Sequence, residues 1–569
     1  MKKLQAGPLN LVYDNGFIRR ISYGQTELLR MIYFALRDHN WNTLPHHIEN
    51  EELFIEDDQF RIAYDCNHTE GGVEIMEWKC TIEGHPDGGI VFEITGRMKE
   101  TFLKNRAGFC ILHPLTVAGT FCQILHPDGT KTRKEFPREI SAENPYKNIQ
   151  SMTWGGAGAD FSLEFVGDIF ETEDQRNWAD ASFKTFCTPL DKPFPVEMKR
   201  GQKVHQRVTF RPTTLLTVNG DAPAFVTLKR TDRRAILPAL GIACSSEVSP
   251  LSDHHILMLR ALSLSHYRID LYPGNGDFAR RFSDEYETAY SMGVALEVAL
   301  HLTENFREEM EAFMILCRQN RVNLRKVLLL SSNVLVTSQI VIDNVKSLKD
   351  ALPRVLIGGG TNYNFNEINK NRFYPGELDY IGFSVDPQEH ASDSLTIIEN
   401  AIGLDDLVRS TKAIYGDRLQ VHISPLTLRK RYNPYATDPA DLCIEESRKA
   451  DPRQKDGLGA LWTFESIRSL TEGGALAVTC YQTAGNQGVI SAEGEPYPLY
   501  HVLRNFGAYQ GRPVQILESS EPLSVSAMIL DNKILALANL SGEAKVVLWG
   551  GTEYTLAADE VRFQLLDHP

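Results

Sequence analysis

A (β/α)8 barrel of the TIM type, flanked by an N-terminal β-sandwich and a small C-terminal β-domain, is the fold class this sequence predicts. Three observations predict it. Residues 1 to about 212 read as short β-rich runs separated by turn signals, with no long helical period. From about residue 230 short apolar strands alternate with helical segments. From about residue 512 the chain returns to β-rich runs. A chain of 569 residues is too long for one core, and about two to four domains are expected.

The N-terminal segment, residues 1–213, is read as a sandwich. Its strands include VFEITGRM (91–98), FSLEFVGDIF (161–170) and QRVTFRP (206–212), bounded by turns such as HPDGG and KRGQK. NRAGFCILHP (105–114) reads as a core strand with His113 at its end. FETEDQRNWADASFK (170–184) packs four acids, two bases and a tryptophan into one stretch. It is either a solvated surface loop or a loop over the barrel mouth that contributes Arg176, Asn177, Trp178 or Asp180.

Residues 230–500 supply eight candidate strands. They are AILPALGIAC (235–244), HYRIDLYP (266–273), ALEVALHL (295–302), KVLLLSS (326–332), RVLIGGG (354–360), YIGFSVDP (380–387), LQVHISPL (419–426) and ALAVTCYQT (475–483). Helical periodicity lies between most of them, as in NFREEMEAFMILCRQN (305–320). Eight βα units in about 270 residues is the size and rhythm of a TIM barrel. A doubly wound sheet is the competing architecture. The last segment, 512–569, carries VSAMIL, KILALANL, KVVLWG and EYTLA. It is small for an independent core and is expected to pack on the barrel or on the sandwich.

Composition narrows the function. The chain is 42% apolar and 23% charged, with net charge −15 and no Lys/Arg-rich run, so nucleic acid is not an expected partner. No window approaches 18 consecutive apolar residues, and the N-terminal MKKLQAGPLNLVYDNG has no apolar region behind its lysines, so neither a membrane partner nor a signal peptide is expected. Nine scattered cysteines without a CxxC pair read as free thiols in a reducing compartment, and a cytoplasmic location is expected.

Function in a TIM barrel sits where the strands end. The candidate strand ends here offer Asp270 and Tyr272, Glu297 and His301, Asn362, Asn364 and Asn366 with Glu367, then Ser384, Asp386, Gln388 and His390. The last two add His422, Ser424, Thr427 and Arg429, then Tyr481, Gln482 and Thr483. Amides and hydroxyls suit a sugar-like ligand because each Asn or Gln both donates and accepts. Trp154, Trp178 and Trp462 are candidates for stacking on a sugar face, against a plain core role. No phosphate loop, dinucleotide fingerprint or HExxH occurs, and the GGG at 358–360 reads better as strand-end packing.

GGGTNYNFNEINKNR (358–372) holds one acid among many amides, Glu367, directly after Asn366. An Asn-Glu pair at a strand end recurs in sugar-cleaving barrels, where the Glu is an acid/base; the bland reading of Glu367 is a solvated loop carboxylate. A glycosidase needs a second carboxylate about 5 Å away (retaining) or about 6.5–9.5 Å away (inverting), and the late strand offers Gln482 instead. One well-placed acid suits hydrolysis of an ester or lactone, with a single base activating water and donors steadying an oxyanion. No cofactor is expected. A divalent metal is the competing idea, with His266, His301, His390 and His422 converging with Asp270 or Asp386.

The segments NRAGFCILHP, EDQRNWADASFK, GGGTNYNFNEINKNR, FSVDPQEHASD, ISPLTLRKRYNPYA, ADPRQ and YQTAGNQGV together make the chain resemble the D-apionate lactonase family, whose members open D-apionolactone to D-apionate in apiose catabolism. The resemblance implies a β-domain, a TIM-type barrel, a small β-domain and a sugar-lactone substrate. By position, Asn366, Glu367, Asn369 and Arg372 match the family's Asn/Glu stretch, and Gln388 and His390 its PQxH stretch. It leads us to expect Tyr-Glu-Thr where this chain has Tyr481-Gln482-Thr483, and an apolar residue at Glu389. The expected catalytic residues are therefore Glu367 as base, with His390 and Arg372 on the oxyanion and leaving oxygen. Asn364, Asn366, Tyr481, Gln482, Asp270, His422 and Trp178 are expected to bind substrate. A glycoside hydrolase acting on plant sugars and a non-catalytic sugar-binding relative stand as alternatives.

Overall fold

The computed structural model describes residues 1–214, 225–320, 322–436 and 442–566. The chain forms two compact units. One holds the described residues of Met1–Gln175, Ala181–Pro223 and Tyr435–Leu442; the other holds those of Arg176–Asp180, Ala224–Pro434 and Cys443–Pro569.

The first unit is built on two nine-stranded sheets. Three runs singled out in the sequence become neighbouring antiparallel strands of one sheet: Ala159–Val166, Lys203–Pro212 and Ile90–Met98. Ile90–Met98 is buried at every second residue, the signature of a strand with one face on a core. Phe34 and Phe109 from one sheet meet Trp78 and Phe92 from the other, with centroids 5.2 Å apart for Phe34–Trp78 and 5.0 Å for Phe92–Phe109. Trp154 belongs to the same core. His113 ends a strand as expected; it is fully buried, and burial lowers its imidazole to about 3.

The second unit contains the barrel. Its strands are β1 (Ala239–Ala243), β2 (His266–Leu271), β3 (Ala295–Leu302), β4 (Leu324–Ser331), β5 (Leu356–Gly360), β6 (Tyr380–Val385), β7 (Gln420–Leu426) and β8 (Ala477–Ala484). Each pairs in parallel with the next, and β1 pairs with β8 to close the ring, which sets aside the doubly wound alternative. The glycines of β5 have steric reasons. A Cβ on Gly358 would lie 2.3 Å from the Tyr380 ring. Gly360 has φ +151° and a Cβ there would meet the Gly382 carbonyl oxygen at 1.9 Å. Strand-end packing is thus the role of this GGG.

The run 235–244 does not form one strand. Pro238 lacks the N–H a strand ladder needs, and the chain breaks between Val226–Ile236 and β1. Val226–Ile236 instead sits in the middle of the C-terminal sheet, antiparallel to Pro513–Ser519 and parallel to Lys545–Trp549. With this added strand the segment does own a core, including Val226, Val525, Ile529, Leu537 and Val547. It also packs on the barrel helices, where Phe563 meets Phe506 at 5.3 Å and Phe464 at 6.1 Å. All nine cysteines are free, and among the described residues no helix is long and apolar enough to cross a membrane.

Candidate functional site

The C-terminal ends of β1, β2, β7 and β8 surround a cavity of about 180 Å³. Its polar lining includes Asp270 in β2 and Tyr272 just after it, Arg431 and Tyr432 beyond β7, Gln482 in β8, and Lys449. Asp270 is fixed from below. The buried Arg268 guanidinium donates to its Oδ1 at 3.0 Å, and His301 Nε2 lies 2.8 Å from the same oxygen. Burial alone would raise this carboxyl, but Arg268 and His301 outweigh it and hold Asp270 well below the usual carboxylate range. Tyr272 stacks on His301 with centroids 4.1 Å apart, which makes an aromatic wall.

Two guanidiniums share one amide oxygen at the mouth. Arg268 donates to Asn362 Oδ1 at 3.0 Å, and Arg431 donates to the same atom and to Ser384 Oγ at 3.1 Å. Arg431 Nε is buried and has no hydrogen-bond partner among the described residues. Gln482 Oε1 accepts from the Ser246 N–H at 2.8 Å and its hydroxyl at 3.1 Å. Tyr481 reaches the cavity wall while its hydroxyl pairs with Thr463 Oγ1 at 2.8 Å.

A smaller cavity of about 10 Å³ lies beside it, lined by Asp386, Ser384 and Asn362 together with Arg431, Tyr432 and Thr427, which line both. Asn364 borders it and donates to Glu389 Oε1 at 2.8 Å, while Lys430 holds Oε2 at 3.2 Å.

The barrel interior carries a separate polar cluster. Lys326 Nζ lies 3.2 Å from Glu297 Oε2, 3.5 Å from His266 Nε2 and 3.4 Å from His422 Nε2. The four histidines of the metal reading therefore do not converge. His266 and His422 meet here, His301 sits on Asp270, and His390 sits on Asp180. His266, Glu297 and His422 do bring ligand atoms within 4.8 Å of one another. The residues do not fit a metal ion, because the Lys326 ammonium already stands among those atoms as the counter-charge. Burial, and then the Lys326 charge, lowers His266 to about 3, and burial holds His422 well below its usual value; burial also lowers Lys326, against the pull of the Glu297 charge. His422 belongs to this interior and is fully buried.

The remaining expected residues gather at the loops after β5 and β6. The segment Arg176–Asp180 is buried among them and is no solvated loop. Asn177 Oδ1 accepts from Asn369 Nδ2 at 2.9 Å, and Asn369 Oδ1 accepts from Arg372 Nη2 at 2.9 Å. His390 Nδ1 lies 2.6 Å from Asp180 Oδ2, with Trp178 edge-on to the imidazole at 5.3 Å. Glu367 lies in the short helix Phe365–Lys370 and is 1% exposed, which sets aside its reading as a solvated loop carboxylate. Its Oε1 accepts from Asn366 Nδ2 at 3.0 Å. Asp270, Tyr481 and Gln482 thus share the cavity and Asn364 borders the small one; Arg372 joins Asn369 and Asn177, His390 joins Asp180 and Trp178, and Glu367 with Asn366 lies on the helix that carries Asn369. Trp462 is core.

Sequence reasoning missed Arg268, Lys326 and Arg431. A signal existed for the first. His266, Arg268 and Asp270 alternate along β2, and alternate residues of a strand share one face. Three polar residues at that spacing mark a face turned to a polar interior.

Comparison with known proteins follows the same division of the chain. Residues 1–214 match the model of the D-apionate lactonase N-terminal domain, and residues 240–511 match that of the D-apionate lactonase TIM barrel domain. A D-apionate lactonase from Brucella anthropi is 28% identical over 96% of this chain and 93% of its own length. Among solved structures, a GH30 endoxylanase from Clostridium papyrosolvens C71 gives a TM-score of 0.40 at 12% identity, covering 59% of this chain and 98% of that one. A family 51 alpha-L-arabinofuranosidase from Bifidobacterium longum gives 0.42 at 9% identity, covering 61% and 95%. The two lactonase domains in the order expected, with full-length likeness to a lactonase, make this chain a member of the D-apionate lactonase family.

Proposed function

We propose that this protein is a carboxylic-ester hydrolase that opens D-apionolactone, or a closely related aldonolactone, to the sugar acid, as a cytoplasmic step of apiose catabolism. The observation that carries the reading is the mouth cavity, whose lining includes an ionised acceptor, Asp270, and a cation, Arg431. A sugar lactone needs both. Its hydroxyls donate to Asp270 and to the Gln482 amide oxygen. Its carbonyl oxygen turns towards Arg431, which strengthens its hold as negative charge develops there. Nine free cysteines suit a reducing compartment.

The test is acid release from D-apionolactone, other aldonolactones and aryl glycosides, with and without a chelator. Acid release from apionolactone that survives chelation is expected. Cleavage of aryl glycosides without lactone turnover would sink the reading.

A second reading keeps the reaction and places proton transfer on Glu367 and His390, with Arg372 as helper. The His390–Asp180 contact favours it, because a carboxylate on Nδ1 fixes the tautomer that a base needs. Glu367→Gln separates the two. The cavity reading expects turnover within about threefold of the parent, since Glu367 is then a buried structural group. A loss of about 10²–10⁴-fold, in folded protein, would move the chemistry to Glu367.

A further inference from the structure

The cations at the barrel mouth are unevenly shared. Lys430 serves Glu389, and Arg431 serves Asn362 and Ser384, with Asp270 at 4.0 Å. Asp386, at the end of β6 and 2% exposed, forms no ion pair among the described residues. Its one hydrogen bond there is from the Gln388 N–H to Oδ1, at 3.1 Å. A buried carboxyl without a counter-charge is costly, and folds keep such groups mostly where chemistry uses them. This one lines the small cavity with Arg431, and Arg431 also lines the large one.

We propose that Asp386 is the general base of this enzyme, activating water in the small cavity against a lactone held in the large one. The proposal rests on the lactone-hydrolase reading above. Water gives a proton to the Asp386 carboxylate as its oxygen bonds to the lactone carbonyl carbon. The carbonyl pair moves onto oxygen, facing Arg431. When that tetrahedral species collapses, the bond from carbon to the ring oxygen breaks. The ring oxygen leaves with the electron pair and takes the proton back from Asp386. Water and lactone become a hydroxy acid, which ionises to solvent.

The charged groups bearing on Asp386 are Glu389, Lys430 and Arg431. Burial first, and then the Glu389 charge, raise its carboxyl to about 8. A carboxylate of that basicity is matched to proton transfer near neutral pH.

The experiment uses the full-length protein and D-apionolactone, with spontaneous hydrolysis subtracted. For the parent, kcat/KM should rise with pH and level off above about 8. Asp386→Asn should lose about 10²-fold or more in kcat, with KM within about threefold. Glu389→Gln removes a like charge and should shift the rising limb to lower pH. Thermal unfolding gives a readout free of activity. The native carboxyl keeps its proton up to about pH 8, whereas the unfolded one loses it near 4. The unfolded state therefore binds fewer protons in that window, and this group makes the parent less stable as pH rises through it. Asp386→Asn lacks that loss, so its Tm should gain on the parent's between pH 5 and about 8. Parent-like turnover in Asp386→Asn, or a pH profile that Glu389→Gln leaves in place, would overturn the base assignment while the lactonase reading stands. A parent that turns over no aldonolactone would overturn both, and the Tm comparison would still report the protonation of Asp386.

Discussion

Replacing Lys326 with methionine should destabilise the second unit by about 3–5 kcal/mol, the usual cost of leaving one partner of a buried ion pair uncompensated. The side chain is 2% exposed and its ammonium is the counter-charge to Glu297 inside the barrel. Methionine fills much of the volume, so the loss is electrostatic more than a cavity effect. Adding Glu297→Gln should restore much of the stability, because the pair is then gone from both sides. The single variant should also acquire a pH dependence. With Lys326 absent, His266 or His422 can take up a proton beside Glu297, so its folded pKa rises. That contribution is present at low pH and fades as pH rises through the new value. The deficit in denaturant unfolding should therefore be smaller near pH 5 than near pH 8. A single variant that unfolds like the parent at both pH values would show that the ion pair adds nothing.

Arg431→Ala should lower kcat on a lactone by about 10²–10³-fold, the range seen when one donor to a developing oxyanion is removed. Arg431 donates through Nη2 to Asn362 and Ser384, and the residue lines both cavities. Arg431→Lys keeps a charge but loses the planar fork and should recover only part of the rate. Steady-state kinetics separate the cases. A large rise in KM with kcat unchanged would make Arg431 a ground-state binder and remove it from the oxyanion.

The barrel was legible because most of its strands are short apolar runs buried on both faces, HYRIDL in β2 being the polar exception. The sandwich strands were legible because Ile90–Met98 and its neighbours alternate in burial with period two. Four strands of the C-terminal sheet were legible; Val226–Ile236, Pro513–Ser519 and Val561–Leu565 were not. Val226–Ile236 pairs with residues nearly three hundred positions away, and nothing local in its sequence carries that pairing. The site was half legible. Strand-end polarity located Asp270, Tyr481 and Gln482 at one cavity. The dense polar run at 170–184 signalled a special segment but not its partners, since contacts such as Asp180 with His390 join residues over two hundred apart. The competing reading of Glu367 as a loop acid stood because its helix is six residues long, too short to show a period.

The placement of Val226–Ile236 also sets a timetable for synthesis. Leu228 pairs with Ser519, so this strand leaves the ribosome 291 residues before its partner exists. At roughly 5–20 residues per second that is about 15–60 s. All eight barrel strands are made in that interval. The barrel can close while Val226–Ile236 waits, and the last sheet assembles onto a strand laid down before the barrel began. A nascent chain halted after Ala484 and before residue 513 therefore carries an unpaired, β-rich edge next to a barrel whose eight strands are all made, and that edge is where a chaperone, or another copy of the chain, would first take hold.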